Sequence, residues 1–227
     1  MKVTQHGENL QKLTRFGAVN AYLVREGDGF TLIDTMVKGS EKAILDAART
    51  AGAPIVRVIA THSHADHIGS LDGVAARLPE VEVIFSSREA RLMEERAVEP
   101  GEPDSKLSGS YMRSETKPGT LVEPGDTVGS LQVVAAPGHT PGQIALLDSR
   151  DGTLIAGDAF STLGGVATAA RTNWRFPLVA MATWDRPTAL ATARALAGLK
   201  PARLAVGHGR VVESPGEEMA AAIARAS

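Results

Sequence analysis

The chain has no cysteine, which excludes disulfides, thiolate nucleophiles and thiolate metal ligands together. Any metal must be held through nitrogen and oxygen. No apolar run approaches the roughly 20 residues of a membrane-spanning helix, and Met1–His6 lead straight into polar sequence without the apolar core of a signal peptide. A cytoplasmic protein without membrane association is expected. Charge of one sign is also lacking: 24 basic residues face 26 acidic ones, interspersed, for a net charge of −2. Binding to a phosphate backbone needs a basic stripe, so the expected partner is a small-molecule substrate and not nucleic acid.

What is present suits one well-buried core. With 227 residues, 43% of them hydrophobic, the chain is expected to form a single domain over residues 1–227. Ala21–Val24 and Phe30–Asp34 alternate as a hairpin, and a helix follows over Ser40–Ala51. Arg57–Ala60 is a short β-branched run, Ile68–Leu78 has helical spacing, Val81–Phe85 is strand-like and Ser87–Ala97 helical. Between 98 and 119 the composition turns to Glu, Pro, Gly, Ser and Lys, which marks a long loop or a lid. Tyr111 and Met112 within it are candidates for a site cover or a homodimer contact.

Strands are expected at Leu131–Ala135, Ile144–Leu147, Thr153–Ala156 and Arg203–Val206, with a helix starting near Pro187 and ending before Gly198. Ser214, Pro215 and Glu217 have the spacing of a capping box for a last helix. The fold class expected from this order is α/β (α+β).

Five of the six histidines fall in three short segments, each next to a predicted strand; His6 stands apart. In Thr61-His62-Ser63-His64-Ala65-Asp66-His67 an extended backbone turns His62, His64 and Asp66 to one side, with His67 in the first turn of the next helix. Four imidazole and carboxylate ligands in six residues exceed what one small ion with an open position takes, so two neighbouring metals are expected. His139 lies in Pro137-Gly138-His139-Thr140-Pro141-Gly142, a stiff turn; Asp158 ends a strand after Gly157; His208 stands between Gly207 and Gly209, which allow close backbone approach.

These segments resemble the signature of the metallo-β-lactamase superfamily: HxHxDH, a later Pro-Gly-His-Thr-Pro-Gly turn, a Gly-Asp strand end and a final Gly-His-Gly, over about Phe16 to His208. The resemblance implies a four-layer αββα sandwich. It implies that His62, His64 and His139 hold one metal, Asp66, His67 and His208 a second, and that Asp158 bridges them. Two divalent ions are implied, zinc first, with iron or manganese as alternatives. Asp34 matches a family aspartate beside the site, a partner of ligands and not itself a ligand. Thr61 and Thr140 are candidates to orient the ligands next to them.

The implied activity is a hydrolase of the glyoxalase II-like or lactonase-like branch. A metal-bridging hydroxide would attack an ester, thioester, lactone or amide carbonyl, with Asp66 carrying a proton to the leaving group. Asp158 argues against β-lactam hydrolysis except as a side reaction, because lactamases with the all-histidine first site lack that carboxylate. Glyoxalase II carries a C-terminal helical region for which the nineteen residues after His208 leave no room, and Asp158-Ala159-Phe160 lacks the tyrosine of the best-known lactonases. The alternative is a mononuclear iron enzyme like the persulfide dioxygenases, using His62, His139 and Asp158. Phe160, Trp174, Phe176 and Trp184 are candidates for the substrate pocket wall or for packing their own loop, and Arg171 or Arg175 for a substrate carboxylate or a plain surface charge.

Overall fold

The computed structural model describes residues 1–227. Four antiparallel strands come first, β1 (Lys2–His6), β2 (Leu10–Arg15), β3 (Val19–Arg25) and β4 (Phe30–Ile33). Helix α1 (Glu41–Thr50) crosses to β5 (Ile55–Ile59), α2 (Ala65–Ile68) and α3 (Leu71–Ala75) lead to β6 (Glu82–Ser86), and α4 (Ser87–Glu95) and a long loop lead to β7 (Thr120–Val122). The strands β4 to β7 run parallel, so the first sheet has seven strands in chain order.

The second half adds β8 (Thr127–Val128), β9 (Leu131–Ala135), β10 (Ile144–Asp148) and β11 (Thr153–Ile155), then a ribbon of β12 (Phe160–Ser161) and β13 (Ala167–Thr168). Helices α5 (Leu178–Met181) and α6 (Arg186–Gly198), strands β14 (Arg203–Ala205) and β15 (Val212–Glu213), and helix α7 (Gly216–Ala226) complete the chain. The second sheet has the order β15-β14-β11-β10-β9-β8.

Strand alternation sorts the core into three apolar layers. Leu32, Val58, Val83 and Phe85 face one side of the first sheet, where Ile44, Leu71, Val74 and Met93 of the helices cover them. Their chain neighbours Ile33, Ile59 and Ile84 face the other way and meet Ile144, Leu146 and Ile155 of the second sheet. On the far side of that sheet Ala145 and Leu154 pack under Ala193 and Leu196 of α6 and Met219 and Ala222 of α7. The result is the four-layer αββα sandwich; each fully buried Leu, Ile or Phe contributes about 1.5–3 kcal/mol by leaving water.

Several local expectations are corrected. The helix expected over Ile68–Leu78 is two pieces, because at Gly69 the chain passes so close to Met36 and Lys38 that a Cβ would lie 2.6 Å from the Lys38 nitrogen, and Ser70 turns its hydroxyl to Val37 O. Ser214 is no cap. It has φ +47°, its N–H goes to Ala202 O, and α7 starts after Pro215 with no side-chain cap. The helix near Pro187 begins where expected, at Arg186, with the Asp185 carboxylate accepting the Thr188 N–H as its cap. Strands β1, β2, β7, β8, β12, β13 and β15 are not among those expected from the sequence.

The segment 98–119 contains no helix or named strand. It is nevertheless fastened. Arg88 pairs with Glu102, Arg91 with Glu99, Asp72 accepts from Ser114 and Thr116, and the Trp184 indole donates to Ser105 O. Met112 packs against the first core layer. These ties hold the segment against the domain as a wall.

Candidate metal centre

Parallel pairing puts the ends of β4, β5 and β6 at one edge of the first sheet, and the parallel pair β11 and β14 ends at the matching edge of the second. The edges are stitched together: Asn20 N–H donates to Gly207 O, Ile144 N–H to Thr61 O, and the Tyr22 hydroxyl to Val206 O. Loops leaving these ends bring together His62, His64, Asp66, His67, His139, Asp158 and His208. They form three overlapping groups, His62/His64/His139, His62/His67/Asp158 and Asp66/His67/His208, whose ligand atoms lie within 4.8 Å of one another. Asp158 sits between the outer two, Oδ1 3.5 Å from His67 Nε2, Oδ2 3.5 Å from His139 Nε2 and 3.2 Å from His208 Nε2.

Hydrogen bonds settle which imidazole nitrogen faces inward. His67 Nδ1–H donates to Asp34 Oδ2 at 2.7 Å and His208 Nδ1–H to Ala18 O at 3.1 Å. The Thr61 hydroxyl donates to Asp34 and so accepts from His62 Nδ1–H; the Thr183 hydroxyl donates to Val179 O and so accepts from His139 Nδ1–H. His64 alone is reversed: its Nε2–H donates to Ser108 O, turning Nδ1 inward. What remains at the centre is Nε2 of four histidines and Nδ1 of His64. Of these, His62 Nε2 and His67 Nε2, together with Asp158 Oδ1, are buried without a hydrogen-bond partner. His64 Nδ1 and His139 Nε2 face each other at 3.0 Å, and two lone pairs at that distance repel unless something positive lies between them. The residues therefore fit divalent cations.

Electrostatics points the same way. Burial, with the neighbouring histidines, pushes His62 well below its ordinary range. Burial and His139 bring His64 down to about 3, and burial brings His139 down to about 4 against the pull of Asp158. Burial also opposes charge on His67 and His208, but Asp158 and Asp34 overcome it at His67, and Asp158 lifts His208 to about 9. Asp158 and Asp66 stay ionised: burial works against both, yet His208 and His67 hold each below the usual carboxylate value. Without a metal, His67 and His208 carry the positive charge that the two carboxylates demand, and a bound cation displaces those protons.

The second layer contains Asp34, as expected, since it accepts from Thr61 and His67. It also contains a residue that sequence reading passed over. Glu89 of α4 is fully buried and accepts from Ser63 N–H at 2.8 Å, Ser63 Oγ at 2.6 Å and Thr140 Oγ1 at 2.7 Å. One carboxylate thus ties the His62–His64 loop to the His139 turn. The Thr140 hydroxyl donates to Glu89 and not to a histidine. Gly207 is required by space, because a Cβ there would lie 2.2 Å from Asp158 Oδ1 and 2.6 Å from His67 Cε1.

The cleft over the centre encloses about 330 Å³. Its mouth exposes Asp66, whose side chain keeps 32% of its surface, and its flanks are Gly109 and Ser110 on one side and Leu178, Val179, Met181 and Ala182 on the other. Of the two readings of the aromatics between 160 and 184, pocket wall or loop packing, the cleft does not show the wall, since none of the four lines it. Phe160 is buried in the third core layer and Trp174 is 89% exposed beside a different cavity. Trp184 is buried with its backbone N–H on His139 O, and Phe176 lies with its ring 5.1 Å from that of His208 but does not line the cleft. No helix is long and apolar enough to cross a membrane.

Comparison with known proteins agrees with this geometry. The sequence profile described as the Metallo-beta-lactamase superfamily matches residues 14–208. The chain is 42% identical to the uncharacterized protein YobT of Bacillus subtilis (strain 168), covering 100% of this chain and 99% of that protein. It is 31% identical to the probable metallo-hydrolase YflN of the same organism, over 84% of this chain and 80% of that one. A solved structure, the metallo-beta-lactamase from Pontibacter korlensis, superposes with a TM-score of 0.73 over 98% of this chain and 97% of its own at 19% identity, which supports the fold. With its profile, its fold and its His/Asp cluster in agreement, this chain belongs to the metallo-beta-lactamase superfamily of metallo-hydrolases.

Proposed function

We propose that the chain is a dinuclear hydrolase, with zinc as its metal, that cleaves an ester, thioester, lactone or amide bond of a small molecule. The observation that carries this reading is the pair of ligand groups on either side of Asp158, with buried, unpartnered nitrogens and a carboxylate oxygen directed at one space. His62, His64 and His139 would hold one ion, Asp66, His67 and His208 the other, with Asp158 between. Such ions supply a water of lowered pKa and polarise a carbonyl.

The chain's own residues do the rest. Asp34, Thr61, Thr183, Ser108 and Ala18 fix each ring so that no reorganisation is needed when charge develops. Asp66, ionised and the most exposed of the seven, is placed to take a proton and pass it to a leaving group at the cleft mouth. Leu178, Val179 and Met181 offer an apolar flank for the acyl part and displace water from it. A mononuclear iron dioxygenase would use only His62, His139 and Asp158; the complete group of Asp66, His67 and His208 speaks against that alternative.

The test is a panel of thioesters, lactones, aryl esters and β-lactams assayed with purified protein before and after chelation and zinc readdition. Hydrolysis that is lost with chelator, regained with zinc and reduced about 10²–10⁴-fold by Asp66→Asn supports the proposal. Hydrolysis that survives full metal removal, or oxygen uptake with a persulfide in place of hydrolysis, contradicts it.

A further inference from the structure

A cavity of about 370 Å³ lies outside the metal centre, lined by Gly164–Thr168, Arg171–Arg175, Ala222 and Arg225. None of its residues belongs to the seven ligands, and none is acidic. Arg171, Arg175 and Arg225 are exposed and in no ion pair; the only side-chain hydrogen bond among the three runs from Arg225 to Val166 O. What distinguishes these three guanidinium groups is that they line one hollow that holds no carboxylate, whereas arginines such as Arg57 and Arg203 have Asp28 and Asp151 beside them. The wall also holds Trp174, 89% exposed, whose ring carries no cation within the molecule. Thr168 on the same wall has a buried hydroxyl without a hydrogen-bond partner.

We propose that this cavity is a second ligand site, for a small anion that carries a flat ring, of the nucleoside monophosphate kind. Guanidinium forks match phosphate oxygens in a way that a lone ammonium does not, and an exposed indole offers a face for a base to stack on. The volume is at the lower end of small-ligand pockets, about 300–1,000 Å³, which suits one nucleotide. A polymer is disfavoured by the net charge of −2. Phe176, next to Arg175, lies against the His208 ring, so this site and the metal centre share one chain segment.

Isothermal titration calorimetry of the metal-loaded protein with AMP and with inorganic phosphate tests the assignment. AMP should bind saturably and about tenfold tighter than phosphate. The double substitution Arg171→Ala/Arg175→Ala should weaken both by about tenfold or more. Trp174→Leu should remove the advantage of AMP while leaving phosphate binding in place, and Asp158→Ala should still bind AMP. All these side chains are exposed except that of Asp158, so unchanged circular dichroism is expected for the first two variants. The proposal is overturned by the absence of saturable heat at millimolar AMP, by affinity indifferent to the arginine pair, by loss of AMP binding in Asp158→Ala with circular dichroism unchanged, or by an oligothymidylate that binds far more tightly than AMP.

Discussion

Gly109 tests the idea that the 98–119 wall sets the geometry of a metal ligand. Its backbone has φ +99°, and a Cβ built on it would lie 2.4 Å from His64 Nε2 and 2.5 Å from Cε1, about 1 Å inside ordinary contact. Gly109→Ala must therefore move either the loop or the His64 ring. The loop is held by Ala65 N–H on Ser110 O and Met112 N–H on Ser63 O, so the ring should yield and lose its bond to Ser108 O. Backbone strain at such φ and overpacking each cost about 1–3 kcal/mol. Together they should lower the melting temperature by about 5–15 °C in a chain of this size. Disturbing the support of one ligand should weaken, by about 10–100-fold, binding of the ion proposed for His62, His64 and His139. Calorimetric zinc titration of the chelator-stripped variant should show one weakened site and one nearly unchanged. Equal affinities and melting temperatures in variant and parent would refute the reasoning.

Other consequences concern neighbouring residues. Glu89→Ala leaves Ser63 N–H and two hydroxyls without their buried acceptor and should cost about 3 kcal/mol or more, read as a lowered urea midpoint; Glu89→Gln should cost less because one acceptor oxygen remains. Tyr111→Phe removes a buried hydroxyl that has no hydrogen-bond partner and should be neutral or stabilising by about 1 kcal/mol, whereas a clear loss in thermal denaturation would reveal a role for the hydroxyl. At Asp72 burial opposes the charge, but hydrogen bonds from Ser114 and Thr116 outweigh it and hold the carboxyl below 3.8. A depressed folded value means that its stabilisation is present above pH 3.8 and disappears as pH falls through the lower folded value. The protection of the Glu115 and Thr116 amides against exchange, taken relative to their intrinsic rates at each pH, should therefore fall below about pH 4, and a parent and Asp72→Asn that respond alike to acid would contradict this.

Much of the centre was legible because its residues are grouped in sequence and the strands before them are strongly apolar. The clustering of His62, His64, Asp66 and His67, and of His139, Asp158 and His208, at predicted strand ends marked them as one candidate site, and the resemblance to the family signature divided them between two ions. Strands β1 and β2 were missed because Lys2–His6 and Gln11–Arg15 are mostly polar and largely or partly exposed; β2 is held by its pairing with β3, and β1 by its pairing with β2, and not by their own pattern. Strands of two or three residues such as β7 and β8 are too short to show a period. Glu89 reads in sequence as one more solvated helix charge, and only the packing of Gly142 against the α4 backbone, a feature of tertiary structure, brings the His139 turn to it. The aromatics between 160 and 184 failed as a pocket wall for a similar reason. Composition says that such a segment packs on something, but not which of its sides faces the cleft.

The central claim is that Asp158 joins two metal sites, and elemental analysis of protein purified without chelator, for the parent and for Asp158→Ala, tests it most directly. About two zinc ions per chain, falling clearly in the variant while its circular dichroism is unchanged, is the predicted result. A single iron per chain, or a metal content indifferent to loss of Asp158, would contradict the bridged site and the hydrolase built on it.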